Sequence, residues 1–521
     1  MDRISELPEP ILQQILSLLP MTQGLQTSVL SKRWRHVWTN FPVLEFDRTF
    51  FDAKFSNHSD TRESIPERLR KRDELFNFAE QTLLIYRNFK GIRRFTLEIS
   101  FHDPELASLF DRWIGYLLES NVYELKLGIL VLRNREWYNL PGAVLAAKSV
   151  TMLTLSNCKL RLPYSDIKLL SLKKLSLVDV YIEDEIFKNL VARCPMIEDM
   201  NLSGCCGLKS FEVFGLLKLK SVEVKNNREL EKVEMQVLNL QSFEYSGRYK
   251  PCEINLAPCK SLKTLKLCMA AITDEWFHDH FSEFPLLENL ALSDCRMLES
   301  IRISSHHLKR LLLCRCDFLV EVEIDAPSLC SFKYNGDTIP FSLNSPALLQ
   351  SDIHFCLSVI DTAWYVQMIE FLSKFNHSKL LTLQSITGKN MVVPNELRES
   401  LLPPLYNVKH LKLKIHKPLM SCATEELVDS LLWISPHPET LFIESGFGTK
   451  TFKFIYKKLT ERREDSCGCG CRSVPIICWR HCLQEIEVEN VSEAEERNKL
   501  TKFFWKNAKI LERIDGLDSE L

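Results

Sequence analysis

The stretch "IEDEIFKNLVARCPMIEDMNLSGC" (182–205) aligns without a gap on "ITDEWFHDHFSEFPLLENLALSDC" (272–295). Ile, Asp, Glu, Phe, Pro, Glu, Leu, Ser and Cys recur at matching places. Each copy reads as a short helix followed by a strand. The Asp-Glu pair suits the positive end of a helix dipole. Pro195 and Pro285 stop the helix. The strand that follows carries apolar residues at i, i+3 and i+5: "IEDMNL" from Ile197 and "LENLAL" from Leu287.

Working outward, the same spacing appears as "VTMLTL" at Val150, "LKKLSL" at Leu172, "LKSVEV" at Leu219 and "LQSFEY" at Leu240. It continues as "LKTLKL" at Leu262, "LKRLLL" at Leu308 and "LCSFKY" at Leu329. Looser copies start at Ile92, Val122, Val408 and Pro438. A period of 21 to 25 residues with this pattern resembles the leucine-rich repeats. The eighth position after the start of the motif, usually Asn or Cys, is occupied by Cys158, Cys205, Asn227, Cys295 and Cys316. In that family the residue there satisfies backbone groups at the turn after the strand. The resemblance implies an α/β solenoid with parallel strands on the concave face and helices or irregular segments on the convex one. One repeat cannot bury its own apolar face, so neighbours must stack.

Alternation along a strand assigns the residues flanking each apolar anchor to the open face. Lys174, Asp199, Asn201, Glu223, Lys225, Lys266, Asn289, Arg310 and Lys333 fall there and form the candidate target-binding surface. It is polar and mixed in sign.

Composition narrows the function. The chain has 521 residues, 45% hydrophobic and 26% charged, with a net charge of −2. That balance is ordinary for a folded protein and argues against a nucleic-acid binder. The opening "MDRISELPEP" lacks a signal-peptide pattern, and no run of 18 apolar residues marks a membrane span. Eighteen cysteines spread along such a chain read as reduced thiols, with a nuclear or cytoplasmic location expected.

Residues 1–46 follow a different rhythm. "PILQQILSLLP" (10–20) puts Ile11, Leu12, Ile15, Leu16, Leu18 and Leu19 on one broad helical face. "TSVLSKRWRHVW" (27–38) reads as a second helix with Val29, Leu30, Trp34, Val37 and Trp38 on its face and Arg33, Arg35 and His36 off it. With Leu7-Pro8 and Leu19-Pro20, these segments resemble an F-box of the plant type. The resemblance implies docking on a Skp-type adaptor, and through it a cullin-RING ligase, by Leu7, Pro8, Ile11, Leu12, Ile15, Leu16, Leu30 and Trp34. Leu12, Leu16 and Trp38 read equally well as core. "MTQGLQ" (21–26) departs from the family, which has a short charged helix there. Gly24 costs a helix up to about 1 kcal/mol, so weaker adaptor binding is expected.

The tail "VPIICWRHCLQEIEVENVSEAEERNKLTKFFWKNAKILERI" (474–514) resembles the FBD region that follows the repeats in many plant F-box proteins. The organisation expected is an F-box at 1–46, a linker and lead-in helix at 47–90, repeats at 91–450 and an FBD-like region at 451–521. Cys467, Cys469, Cys471, Cys478, His481 and Cys482 are weak candidates for a metal, because C-x-C-x-C lacks the wider spacing of structural zinc sites. No metal or cofactor is expected. No phosphate loop, nucleophile elbow or metalloprotease motif occurs in the sequence. The expectation is a non-catalytic subunit that recognises a protein substrate for an SCF-type ubiquitin ligase. A hormone co-receptor on the same scaffold, or an interaction scaffold independent of ubiquitin, are the alternatives.

Overall fold

The computed structural model describes residues 4, 6–19, 21–27, 29–39, 41–47, 65–86, 92–101, 106–131, 137–161, 167–248, 250–355, 360–416, 422–446, 448–457 and 476–517. It divides into two compact units, Met1–Leu262 and Lys263–Leu521.

The first unit opens with three helices, α1 (Glu9–Ser17), α2 (Met21–Thr27) and α3 (Lys32–Thr39). Strand β1 (Val43–Phe46) follows and pairs in parallel with β2 (Arg94–Phe101). The sheet continues through β3 (Glu124–Val131) and then Met152–Ser156, Lys174–Val178, Asp199–Ser203, Ser221–Lys225 and Ser242–Ser246. Every pairing is parallel, and side chains alternate between buried and open. Between β1 and β2 lies a helix, Ile65–Tyr86, whose Phe76 meets Phe110 and Trp113 of the helix Leu106–Leu118 edge-on.

In the second unit, strands Thr264–Cys268, Asn289–Ser293, Arg310–Cys314 and Ser331–Gly336 pair in parallel. Gln350–Phe355, Leu380–Ser385, His410–Ile415 and Thr440–Ser445 extend the same run. The direction then reverses. Gly448–Tyr456 runs antiparallel to its neighbour, as does Leu483–Glu489 to it, before Arg513–Asp515 closes the edge in parallel.

In seven repeats the turn after the sheet strand is set by one residue in the left-handed region. These are Asn157, Asp179, Gly204 and Asn226 in the first unit, and Met269, Asp294 and Arg315 in the second. Asn, Asp and Gly tolerate that conformation best. The next residue, the eighth after the start of the motif, turns inward. Cys205 and Asn227 are buried, the Asn227 side chain accepts from the Cys205 N–H at 2.7 Å, and its amide donates to the Leu202 carbonyl at 3.3 Å. The Cys295 thiol meets the Leu267 carbonyl at 3.6 Å. Burial pushes the thiols of Cys158 and Cys205 up to about 12, so both are protonated and inert at neutral pH.

One element was not expected. Several repeats carry a second short strand where helices or irregular segments were anticipated. Ser210–Phe214, Lys232–Gln236 and Glu253–Asn255 form one three-stranded parallel sheet. Ser300–Ser304, Glu321–Asp325 and Phe341–Asn344 form another in the second unit. The helices Asp184–Ala192 and Asp274–Phe281 appear where the aligned stretches place them. Among the described residues no helix is long and apolar enough to cross a membrane.

Candidate interaction surfaces

The helical module at the amino terminus has a small core of Leu12, Leu16, Trp34, Val37 and Trp38. Ser31 caps α3 by accepting from the Trp34 N–H at 3.2 Å, which ends the preceding turn at Leu30. Val29 and Leu30 therefore precede the helix instead of lying on its buried face, and they are 86% and 68% exposed. Arg33, Arg35 and His36 point outward, and the Arg33 guanidinium holds the Leu7 carbonyl at 2.6 Å.

Of the eight residues named for adaptor contact, Leu12, Leu16 and Trp34 are packed inside the module. Leu7 and Ile15 are half-buried, and Pro8, Ile11 and Leu30 are exposed. Ile4, Leu18 and Val29 are exposed apolar side chains that the resemblance did not single out. Gly24 is buried within α2, facing Leu16 and Trp38. The helix forms with glycine in it, and a Cβ at this position would meet Trp38 and Leu16 at ordinary contact distances.

The nine open-face candidates all lie on sheet strands with half-buried or exposed side chains. Their roles differ between the units. In the first, Lys174 pairs with Asp199 at 3.0 Å. Lys225 bonds Glu223 and reaches Glu244 at 2.8 Å. Arg94 pairs with Glu124 at 2.7 Å, and Lys126 with Glu98 at 2.7 Å. Asn201 keeps its side-chain oxygen buried with no hydrogen-bond partner among the described residues. In the second unit, Arg310 donates to the Asn289 side chain at 2.6 Å, and Asn289 donates to Thr264 at 3.0 Å. Lys266 and Lys333 stand exposed in the same row.

Cys467, Cys469 and Cys471 lie outside the described residues. Cys482 is buried, its thiol directed at the Cys478 carbonyl at 3.6 Å and pushed up to about 12 by burial. Among the described residues no group of three or more His, Cys, Asp or Glu side chains is placed to hold a metal. A cleft of about 280 Å³ is lined by Arg398, Asp429, Trp433, Cys478, Trp479 and Arg480. Its two guanidiniums converge on one carboxylate, Asp429, at 2.8 and 2.6 Å.

Comparison with known proteins agrees with this layout. The F-box domain family matches residues 4–46. The repeat family described as At1g61320/AtMIF1, LRR domain, matches residues 84–254 and again 249–514. F-box/LRR-repeat protein At3g03360 of Arabidopsis thaliana is 27% identical over 317 residues, covering 60% of this chain and 61% of that protein. F-box/LRR-repeat protein At3g59200 of the same plant is 33% identical over 207 residues, 39% of this chain and 36% of its own. F-box/FBD/LRR-repeat protein At2g26030, also from Arabidopsis thaliana, is 28% identical over 237 residues, 44% of this chain and 47% of its own. The chain thus spans less than two thirds of the length of each of these three relatives.

Proposed function

This chain belongs to the F-box/leucine-rich-repeat family, and from that premise we propose that it is the substrate-recognition subunit of an SCF-type E3 ubiquitin ligase. The observation that carries the reading is the apolar surface of the F-box: Ile11, Leu18, Val29 and Leu30 exposed on a module whose core is already filled. Several large apolar side chains left exposed on so small a domain favour a partner surface. The partner is a Skp-type adaptor, and through it a cullin-RING ligase. Leu7, Pro8, Ile11, Ile15 and Leu30 make the contact. Leu12, Leu16 and Trp34 fix its shape from beneath.

Strand β1 supports a working geometry. It leaves the F-box and enters the parallel sheet beside β2, with the Arg93 N–H bonded to the Pro42 carbonyl at 2.7 Å. The F-box is thereby tied by backbone hydrogen bonds to the first repeat strands. The open strand faces, with Lys174, Asp199, Asn201, Glu223 and Lys225 in the first unit and Lys266, Asn289, Arg310 and Lys333 in the second, are the candidate surfaces for a protein target. The chemistry belongs to the other subunits, and this chain contributes proximity. It is non-catalytic, uses no cofactor, and acts in the nucleus or cytoplasm. The division 1–46, 47–90, 91–450 and 451–521 fits the role, the last boundary falling inside Gly448–Tyr456, the strand at which the sheet reverses direction.

The test is capture of a cullin. Tagged wild-type chain is expected to bring down an endogenous cullin together with the adaptor, and Ile11→Glu/Leu30→Glu to bring down neither. Absence of cullin from the wild-type capture, or equal capture by both, overturns the reading.

A further inference from the structure

Cys295 and Cys316 hold the same place in two neighbouring repeats of the second unit. Each lies two residues beyond a register pair, Ser293 and Cys314, on adjacent parallel strands. The two turns between are alike. Asp294 and Arg315 both take a left-handed φ, 52° and 51°, and their side chains pair at 2.7 Å. The backbones therefore run on one strand spacing apart, about 4.8 Å. That falls inside the roughly 4.4–6.8 Å between Cα atoms that a disulfide spans. Cysteines at the other eighth positions have no such neighbour. The next repeat puts Val180 beside Cys158 and Asn227 beside Cys205.

The side chains meet as well. Both cysteines are free thiols. The Cys316 sulfur leans back to the Leu292 carbonyl, at 3.9 Å, on the repeat that carries Cys295, and the two thiols share a side-chain hydrogen bond. That bond divides their acidity. Donating to Cys316, with burial, holds the Cys295 thiol well above its usual range. Accepting from Cys295 lowers the Cys316 thiol, against burial and the nearby Asp294 carboxylate. Cys316 is also the more exposed, at 8% against 0%. The better nucleophile is thus the one nearer solvent.

We propose that Cys295 and Cys316 form a redox site, closing to a disulfide that staples two adjacent repeats when the chain meets a peroxide. The Cys316 sulfur attacks hydrogen peroxide, the O–O bond breaks, and a sulfenic acid and one water result. The Cys295 sulfur then attacks the Cys316 sulfur and the S–O bond breaks. The departing hydroxide takes the Cys295 proton and leaves as a second water. Two thiols are oxidised and one hydrogen peroxide is reduced. The stapled repeats carry Asn289 and Arg310 on their strands. The proposal therefore concerns the rigidity of that part of the open face, and it stands apart from the ligase reading.

The test is peptide mapping of the full chain after hydrogen peroxide, with remaining thiols blocked by iodoacetamide. Cys268→Ser/Cys330→Ser is the background, because each of these half-buried cysteines shares a tryptic peptide with one of the pair. The expected product joins peptide 267–296 to peptide 316–333 and is lost on treatment with dithiothreitol. Fragmentation of the joined peptides reads the same link in wild type, so the result does not depend on how the background folds. The melting temperature is expected to rise by about 3 °C on oxidation and to fall back on reduction. Cys316→Ala, checked by circular dichroism beforehand, should show neither link nor rise. Recovery of Cys295 and Cys316 as free thiols overturns the proposal. So does a link from either to another cysteine such as Cys314, or a Cys295–Cys316 link with no rise in melting temperature.

Discussion

The Asp184 carboxylate accepts a hydrogen bond from the backbone N–H of Lys209 at 2.7 Å, and a second from Ser210 at 3.1 Å. Asp184 begins a helix, and Ser210 begins a strand of the small outer sheet. One side chain thus serves the helix dipole and fixes the strand that follows 25 residues later. Asp274 repeats the device on Glu299 and Ser300, at 2.9 and 3.0 Å. Asp184→Ala leaves two strand-edge donors without their acceptor and should cost about 1–3 kcal/mol. Asp184→Asn, which keeps one acceptor oxygen, should recover part of it. Urea unfolding followed by circular dichroism checks both.

Two glycines should respond in opposite directions. A Cβ on Gly24 would meet Trp38 and Leu16 at 3.6 and 3.7 Å, ordinary contact distances inside a helix. Gly24→Ala should stabilise the F-box by about 1 kcal/mol. Gly204 has φ +68°, and a Cβ there would fall 2.2 Å from the Asp179 carboxylate oxygen. Gly204→Ala should destabilise by about 1–2 kcal/mol. Melting temperatures of the two variants decide, and a loss of stability in Gly24→Ala would contradict the packing described for α2.

Ser351, in the strand Gln350–Phe355, and Ser378, just before the strand Leu380–Ser385, are buried and share a hydrogen bond of 2.8 Å. Either serine changed to alanine strands the other hydroxyl, at about 1–3 kcal/mol. The double variant should cost clearly less than the sum, with a coupling of about 0.5–3 kcal/mol. A double-mutant cycle in urea measures it.

Acid should weaken the second unit. Burial, together with the His416 ring at 5.3 Å, holds His354 below its usual 6.5, and burial does the same for His437. The unfolded chain takes up these protons at higher pH than the folded one, so this stability is full above 6.5 and is lost as pH falls below it. Melting temperature should drop on acidification through that window. His354→Gln/His437→Gln should flatten the drop.

The repeat was legible because its anchors are apolar and fall at a fixed spacing. The same rule explains what escaped it. Strands Gln350–Phe355 and Leu380–Ser385 were hidden since Ser351 and Ser378 occupy anchor places, their polarity satisfied by each other. Strand β1 was hidden in plain pattern: Phe41, Leu44 and Phe46 carry the i, i+3, i+5 spacing, but the stretch was absorbed into the helical module. The outer strands, such as "SIRIS" and "EVEID", alternate strictly and were readable in principle. The open face was legible as a set of residues. Which of them pair with one another, as Lys174 does with Asp199, was not, because that depends on which strands lie side by side.

Docking of the F-box on a Skp-type adaptor through its exposed apolar side chains is the proposal on which the ligase reading stands. Calorimetric titration of the purified chain with purified adaptor tests it most directly. The account predicts a one-to-one complex that Ile11→Glu/Leu30→Glu weakens about a hundred-fold, close to 2.7 kcal/mol, with no change in melting temperature. No binding by the wild type, or equal binding by the variant, would contradict it.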